Sequence, residues 1–543
     1  MFILGRIEGK AVKMMYICMI LAQKCQDYLF LLCTMKIFNT KGLQNIFDRT
    51  IASSEDGGVG LMERIASSVS CEIISRWLPK KRFVLFAGPG SNGCIALAVA
   101  RMLIEQGYRL EVFLFNVPSM PISEECNINK ERLLAIEGVD FTEVKTTFEM
   151  PYISADDVVI DGLFGTGLTA PLKGGFTMLV QGINESNAYV VAIDMPSGLL
   201  AEWNHNNDRR NIIKADLTLA FKFKRLSFFF AENAEYVGTC KVLDIDFDAE
   251  TIRKTPSSFY LVEEADVRRR LRKRKEFSNK YDYGTLLLAA GSYGMMGAAL
   301  LSAKAALRSG AGLLTVHAPR CGYSVLPSSV PEAISQYDND STIITDVRLD
   351  RNYSAIAIGP GIGTKDDTIN AVDSLMKRYN RPCILDADAL NCISLRPGML
   401  DSIPKMSVIT PHAGEFDRLF GNQMNDESRL REAIKMSRRY GIVIVLKGRY
   451  TMVIRPDEKV YINSTGSPAL ATPGSGDVLT GLIGGFAAQG YEMELCAAMG
   501  AFIHGAAGDR AEKTLGSYSV TASDIIDNIG PVIKEIMSRN ETK

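Results

Sequence analysis

The sequence predicts a two-domain α/β protein in which each domain is built on a largely parallel sheet. Three observations lead there. The chain has 543 residues, too many for one ordinary hydrophobic core. Two separate stretches read strand, glycine-rich loop, helix, strand: FVLFAGPGSNG, IALAVARMLIEQGY and LEVFLF from Phe83, and YGTLLLAAGSYGMMGAALLSAKAALRSGAGLLTV from Tyr283. In both halves, later apolar runs end in Asp, Gly or His, as strands do when their carboxyl ends feed one cleft.

Composition narrows the class. Hydrophobic residues at 47% and charged residues at 23% are those of a globular protein. A net charge of -1 argues against nucleic acid as a bulk partner. Eleven cysteines form no CxxC pair or zinc spacing, so they read as reduced thiols of a cytoplasmic protein. Four histidines are too few and too dispersed for a His-rich metal site.

Residues 1–34 read as an upstream extension outside the fold. MMYICMILAQ is apolar, but Lys24 and Asp27 interrupt before YLFLLC, and no run approaches the roughly 18 residues of a membrane span. Met35 opens a segment that starts like a domain. The expected division is 35–255 and 256–543, and deleting 1–34 is expected to leave melting temperature and activity unchanged.

In the first half, LMERIASSVSCEIISRW predicts an amphipathic helix from Leu61 to Trp77. The βαβ unit follows, its helix ending at Gly107. DDVVIDGLFGTGL puts Asp161 at a strand end and Gly165, Thr166 and Gly167 in the loop; AYVVAIDMPSG puts Asp194 at another, before Ser197. Turn chemistry accounts for the glycines but not for two carboxylates at strand ends, which favours a ligand site there. The basic run VRRRLRKRK, Val267 to Lys275, has no interleaved aromatics and is expected to be a solvated linker between domains.

In the second half, SAIAIGPGIG is a strand with a glycine-rich end. CILDADAL places Asp386 and Asp388 at a strand end, SVITPHAGEFDRL places His412 and Glu415 at the next, and GIVIVLKGRYTMVI turns at Lys447–Gly448. The organising stretch is NSTGSPALATPGSGDVLTGLIGGFAAQG, Asn463 to Gly490. A polar loop becomes apolar at helical spacing after Asp477, so a buried helix starts near Ser475–Asp477. The unpaired N–H groups of Gly474, Ser475 and Gly476 and the helix dipole suit a phosphate. Asp477 sets a carboxylate beside that anion, a costly place unless it takes a proton from a hydroxyl attacking a phosphoryl group. Alone, GSGD is an ordinary acidic first turn.

Together these residues form a recognisable set. Over roughly 256–535, GSYGMMGAA, AALRSGAGLLTV, GPGIG, LDADAL, TPHAGEF, LKGRYT and the GSGD stretch occur in family order, and this half resembles the ADP-dependent NAD(P)H-hydrate dehydratases of the ribokinase-like superfamily. Over roughly 35–255, GPGSNG, VVIDGLFGTGLTAPLKGG, VVAIDMPSG and ADLTLAFKFKRLSFFFAENAEYVG resemble the NAD(P)H-hydrate epimerase domain, a Rossmann-like three-layer sandwich. The fused order is similar to that of the bifunctional NAD(P)H-hydrate repair enzymes.

The resemblance implies phosphorylation of the hydroxyl of the S-epimer of NADHX or NADPHX from ADP. Loss of phosphate then restores NAD(P)H, with AMP and phosphate as by-products. The N-terminal domain would interconvert the R- and S-epimers at carbon 6. It implies Asp477 as base, with Ala298, Gly361 and His412 lining the hydrate pocket. Lys447, Gly448, Arg449, Tyr450 and Thr451, with Gly474, Ser475 and Gly476, would hold the nucleotide, and Mg2+ would bridge its phosphates. In the first half it implies substrate contacts at Ser91, Asn92, Gly93, Gly165, Thr166, Gly167, Leu168, Thr169, Ala170, Pro171 and Asp194, with Asp194 as acid/base. K+ would lie at Asn92, Asp161 and Ser197. Small molecules are the expected partners, with no nucleic acid and no membrane, in a homo-oligomer.

Two other readings stay open on the residues: a ribokinase-like kinase of a vitamin precursor or sugar, and an N-terminal half that only binds a dinucleotide. One departure bears on the second. Where the family loop reads GPGNNGGD, this chain has Gly88 to Ile95 as GPGSNGCI. Cys94 would strain a left-handed backbone, and Ile95 removes a carboxylate, so impaired epimerisation is expected.

Overall fold

The computed structural model describes residues 34–539. They divide into two compact units: 36–257 with Asn425–Glu427, and 258–539 without those three residues but with Thr34 and Met35, the methionine expected to open the first domain. The reading of residues 1–34 as an extension falls on residues outside those described, save Thr34. That residue is buried, and its hydroxyl donates to Asp266 Oδ1 at 3.2 Å.

The first unit holds a seven-stranded sheet. Its strands are β1 Arg82–Ala87, β2 Arg109–Phe115, β3 Asp140–Val144, β4 Val158–Gly162, β5 Tyr189–Ile193, β6 Leu217–Phe221 and β7 Thr239–Leu243. The order is β3-β2-β1-β4-β5-β6-β7, parallel throughout. This is the doubly wound, Rossmann-like arrangement the sequence predicts. Its topological switch falls between β1 and β4, so the loops after Ala87 and Gly162 open side by side. β1, β4 and β6 are almost wholly buried, which is why they read as continuous apolar runs. Helices Gly57–Ile74 and Ser91–Glu105 cover one face of the core. The first stops short of the predicted Trp77, whose ring instead packs edge-on against Phe83 and Tyr189.

The second unit is also α/β. Its strands are β8 Phe259–Val262, β9 Thr285–Ala289, β10 Leu313–Ala318, β11 Ile334–Tyr337, β12 Ala355–Ile358, β13 Ile384–Leu385, β14 Val408–Ile409, β15 Val443–Leu446, β16 Met452–Ile454 and β17 Val460–Asn463. They lie in the order β8-β17-β16-β15-β14-β13-β12-β9-β10-β11. From β15 to β11 every pair is parallel, whereas β16 is antiparallel to both neighbours. The switch lies between β9 and β12.

Helix Ser475–Ala488 is buried on nearly every side. Side chains begun at Gly481 and Gly485 would meet Ser302 O at 2.2 Å and Ser309 Oγ at 1.8 Å. Glycine there lets helix Met296–Arg308 lie directly against it.

The basic run is not a linker. It lies wholly in the second unit, begins inside helix Glu264–Arg270 and buries Val267. Arg272 stacks on Tyr491 at 4.2 Å and Arg274 on Tyr283 at 4.1 Å, and Arg274 also donates to Gly310 O at 2.8 Å. The aromatic partners missing from the run itself come from elsewhere in the chain, so cation–π contacts hold it to the fold. No described helix is long and apolar enough to cross a membrane.

Candidate functional site

In the first unit the strand-end loops enclose a cavity of about 840 Å³. Ser91, Asn92, Gly165, Thr166, Gly167, Leu168, Thr169, Ala170, Pro171 and Asp194 all line it. Gly93 is not on its wall: a side chain there would begin 1.7 Å from Gly88 O, so this glycine shapes the turn.

Asp194 is held from two sides. Its Oδ2 accepts from Thr166 N at 2.8 Å and Thr166 Oγ1 at 2.6 Å, and its Oδ1 accepts from Arg225 Nη2. It sits at φ +66°, a left-handed conformation that costs a non-glycine residue about 1–3 kcal/mol and persists where surroundings enforce it. Its N–H donates to Leu219 O at 2.9 Å, and its neighbours hold both carboxylate oxygens.

Asp161 and Ser197 lie beneath the cavity. Asp161 Oδ1 accepts from Ser197 Oγ at 2.6 Å and Oδ2 from Ser197 N at 2.7 Å. Burial pushes the Asp161 carboxyl up to about 6, against these hydrogen bonds. Asn92 Nδ2 donates to Ile193 O at 3.1 Å, while its Oδ1 is buried without a partner. A side chain at Gly165 would begin 3.1 Å from that oxygen and 2.8 Å from Asp194 Oδ2 and would crowd both.

The loop departure at 94–95 resolves differently for its two residues. Cys94 lies inside helix Ser91–Glu105, and its φ is not positive. The strain anticipated for it is absent, because a right-handed helix accepts any side chain. Its thiol packs in the core, accepts from Asn129 Nδ2 at 3.1 Å and is pushed up to about 12 by burial. Ile95 does line the cavity, so the missing carboxylate leaves an apolar wall there.

In the second unit, helix Ser475–Ala488 starts where the sequence placed it. Gly474 is its N-cap at φ +84°, in the left-handed region where glycine alone is unstrained. Ser475 N donates to Thr472 O at 3.3 Å, and Val478 N closes the first helical turn on Gly474 O at 3.2 Å. Of the three N–H groups expected to face an anion, that of Ser475 is thus engaged, while those of Gly474 and Gly476, with Asp477, have no acceptor among the described residues at this helix start. Ser475 Oγ instead meets His504 Nε2 at 3.0 Å, and burial lowers the His504 pKa to about 4.

Lys447 links this helix start to two strand ends. Its Nζ donates to Asp386 Oδ1 at 3.1 Å and stands 3.6 Å from Glu415 Oε2. A side chain at Gly476 would begin 3.5 Å from the same nitrogen. Burial favours the neutral amine, but Asp386 and then Glu415 outweigh it and keep Lys447 above the ordinary lysine range. Asp386, itself buried, also accepts from Thr410 Oγ1 and Thr480 Oγ1, each at 2.6 Å. Burial pushes the Asp477 carboxyl up to about 7; Asp386 adds to this, Lys447 opposes it, and Asp388 and Glu415 add smaller contributions.

His412 caps helix Ala413–Phe420. Its Nδ1 accepts from Gly414 N at 3.0 Å and Glu415 N at 3.4 Å, and Glu415 Oε2 accepts from His412 N at 2.8 Å. The His412 side chain is half exposed, with Nε2 3.5 Å from Glu415 Oε1. Gly361 and Ala298 are neighbours: a side chain at Gly361 would begin 3.1 Å from Ala298 Cβ. Gly448, Arg449, Tyr450 and Thr451 form the turn between β15 and β16, with Arg449 stacked on Tyr450 at 4.7 Å. Thr410, Thr480 and His504 had no sequence signal beyond polarity inside apolar segments. Arg225 sat in a cationic run, KFKR, that hid which charge turns inward.

Two α/β units, one with an aspartate–arginine pair on a cavity wall and the other with an aspartate at a glycine-capped helix start among further carboxylates, are the frame of an enzyme. Residues 286–531 match the family described as NAD(P)H-hydrate dehydratase, and residues 59–227 match that described as YjeF-related protein N-terminus. A bifunctional NAD(P)H-hydrate repair enzyme of Moorella thermoacetica is 33% identical over 510 residues, covering 91% of this chain and 94% of that protein. One of Thermofilum pendens is 32% identical, covering 88% and 92%. A solved ADP/ATP-dependent NAD(P)H-hydrate dehydratase of Bacillus subtilis, co-crystallised with ATP and Mg2+, is 33% identical over 50% of this chain and 97% of its own, with a TM-score of 0.46. The chain belongs to the family of bifunctional NAD(P)H-hydrate repair enzymes.

Proposed function

We propose that this chain restores hydrated NADH and NADPH. Its second unit dehydrates the S-hydrate at the expense of ADP, and its first interconverts the R- and S-hydrates. Family membership across both halves supports this over a vitamin kinase or a dinucleotide-binding scaffold. The observation that carries the dehydratase is Asp477, a carboxyl pushed up to about 7 at the open start of a glycine-capped helix.

A base works best when its pKa lies near the working pH. Asp477 takes the proton from the hydrate's hydroxyl as that oxygen attacks the terminal phosphoryl group of ADP. The N–H groups of Gly476 and Asp477 and the Lys447 ammonium face the charge that builds on the phosphoryl oxygens. Asp386 fixes Lys447 and is fixed in turn by Thr410 and Thr480. The turn Lys447–Thr451 holds the nucleotide, while Ala298, Gly361 and His412 form the hydrate pocket.

Mg2+ would enter with the ADP phosphates, since among the described residues no group of three or more acidic, histidine or cysteine side chains is placed to hold a metal by itself. When bound with ADP it supplies charge neutralisation at the phosphates. K+ suits the first unit. The unpartnered, buried Asn92 Oδ1 and the buried Asp161–Ser197 pair offer the oxygen donors it takes. Asp194 is the acid/base of epimerisation. Ile95 leaves that site short of one acceptor, which favours a slower epimerase rather than a dead one. A cytoplasmic location fits the free cysteines, and a homo-oligomer follows from the resemblance alone.

The experiment supplies purified chain with R-hydrate alone, S-hydrate alone or both, with Mg2+, with and without ADP, and follows NADH absorbance and AMP. Recovery of both epimers with one AMP per NADH supports the proposal. Recovery only from the S-hydrate removes the epimerase, and recovery of neither overturns the whole reading.

A further inference from the structure

Arg225 is only 3% exposed, yet it lines the 840 Å³ cavity. Its guanidinium makes three hydrogen bonds in different directions. Nη2 donates to Asp194 Oδ1, Nε donates to Thr166 Oγ1 at 2.8 Å, and Nη1 donates to Phe223 O. Thr166 closes the ring, because the same hydroxyl donates to Asp194 Oδ2 at 2.6 Å. One planar cation therefore fixes the carboxylate directly and again through the hydroxyl. Phe223 is two residues away on the same segment, so the fork is anchored to its own backbone.

This leaves Asp194 little freedom of rotation. Oδ1 is committed to the guanidinium. Oδ2 stands on the side left open by Gly165, next to the unpartnered Asn92 Oδ1. There it also accepts from Thr166 N and Thr166 Oγ1, so its direction is fixed by the loop and, through the hydroxyl, by Arg225.

We infer that Arg225 is a positioning residue of the epimerase: its guanidinium holds Asp194 and Thr166 in one plane so that Asp194 Oδ2 faces the opening over Gly165. The inference rests on the proposal that the first unit epimerises the hydrate at Asp194. A lysine does not replace the fork, because an ammonium is a point charge without the planar, fixed donors that reach Asp194 and Thr166 together. A purely structural ion pair would, when broken, lower the amount of folded chain and leave the kcat of what folds unchanged.

The test uses the full chain, with S-hydrate dehydration by the second unit as the control for amount and integrity. R-to-S conversion is followed by chromatography for wild type, Asp194→Asn, Arg225→Lys, Arg225→Ala and Thr166→Val. Misplacing a catalytic group by about 1 Å costs about 10²-fold, so Arg225→Lys is expected to lose about that factor in kcat with KM changed by less than about threefold. Arg225→Ala is expected to lose more and to regain at least about tenfold with millimolar guanidinium chloride, but not with sodium chloride. Should the arginine variants fail to fold, Thr166→Val keeps the ion pair and removes only the bridging hydroxyl; a fall in kcat of about tenfold with KM held is expected. Arg225→Ala or Thr166→Val at wild-type rate, with Asp194→Asn inactive, overturns the inference and leaves the epimerase standing. A loss in Arg225→Ala that guanidinium does not repair makes the arginine structural and also overturns it. Asp194→Asn at wild-type rate overturns both.

Discussion

Asp194 and Asp477 are both aspartates at the mouth of a parallel sheet, and the fold treats them in opposite ways. Asp194 has a buried arginine on one oxygen and Thr166 on the other. Burial raises the Asp477 carboxyl to about 7, Asp386 adds to the rise, Lys447 opposes it, and Asp388 and Glu415 add less. Environment rather than residue type sets the task. A carboxylate clamped by an arginine is held in one orientation. A buried carboxyl with other acids around it keeps its proton to about neutral pH.

The contrast breaks most sharply by removing each carboxylate alone. Asp477→Asn is expected to lower dehydration about 10²- to 10⁴-fold while epimerisation stays within twofold and ADP still binds. Equilibrium dialysis with labelled ADP separates lost chemistry from lost binding; dehydration within tenfold of wild type would remove Asp477 from its role. Asp194→Asn is the mirror experiment, with epimerisation down about 10²-fold and dehydration of pure S-hydrate untouched. If either variant lost both activities, the two sites could not be treated as separate.

A third measurement sharpens the comparison through proton linkage. The Asp477 carboxyl titrates at about 7 in the folded chain and near 3.8 when unfolded. The folded state then holds the proton more tightly. This contribution to stability is full below about pH 3.8 and is lost as pH rises to about 7. Melting of the ligand-free second unit should therefore favour Asp477→Asn over wild type at pH 8, with the gap closing toward pH 4. A gap independent of pH would show that Asp477 is not the perturbed group.

The smallest effect concerns Ile95. Restoring a carboxylate with Ile95→Asp adds about one hydrogen bond to the cavity wall, about 0.5–1.5 kcal/mol, and should raise R-to-S conversion by up to about tenfold. Cys94→Gly is expected to change no rate and to cost about 1 kcal/mol of stability, since it puts glycine inside a helix. A faster epimerase from Cys94→Gly alone would contradict the helical backbone found there.

The sequence by itself determined the two α/β folds, the strand ends that carry the chemistry and the start of the Asp477 helix. Those are local signals: burial on both faces makes a strand continuously apolar, and a glycine before an apolar 3.6-residue period marks a helix start. It misread the basic run, because Arg272 and Arg274 find Tyr491 and Tyr283 only across the fold. It misread Cys94, because backbone handedness belongs to the helix and not to the residue. Above all, the partners of each carboxylate were a tertiary decision. Arg225 lies 31 residues from Asp194, and Thr480 lies 94 from Asp386. Separations of that size carry no periodicity, so only the packed sheets show that one aspartate is clamped by a cation and the other crowded by acids.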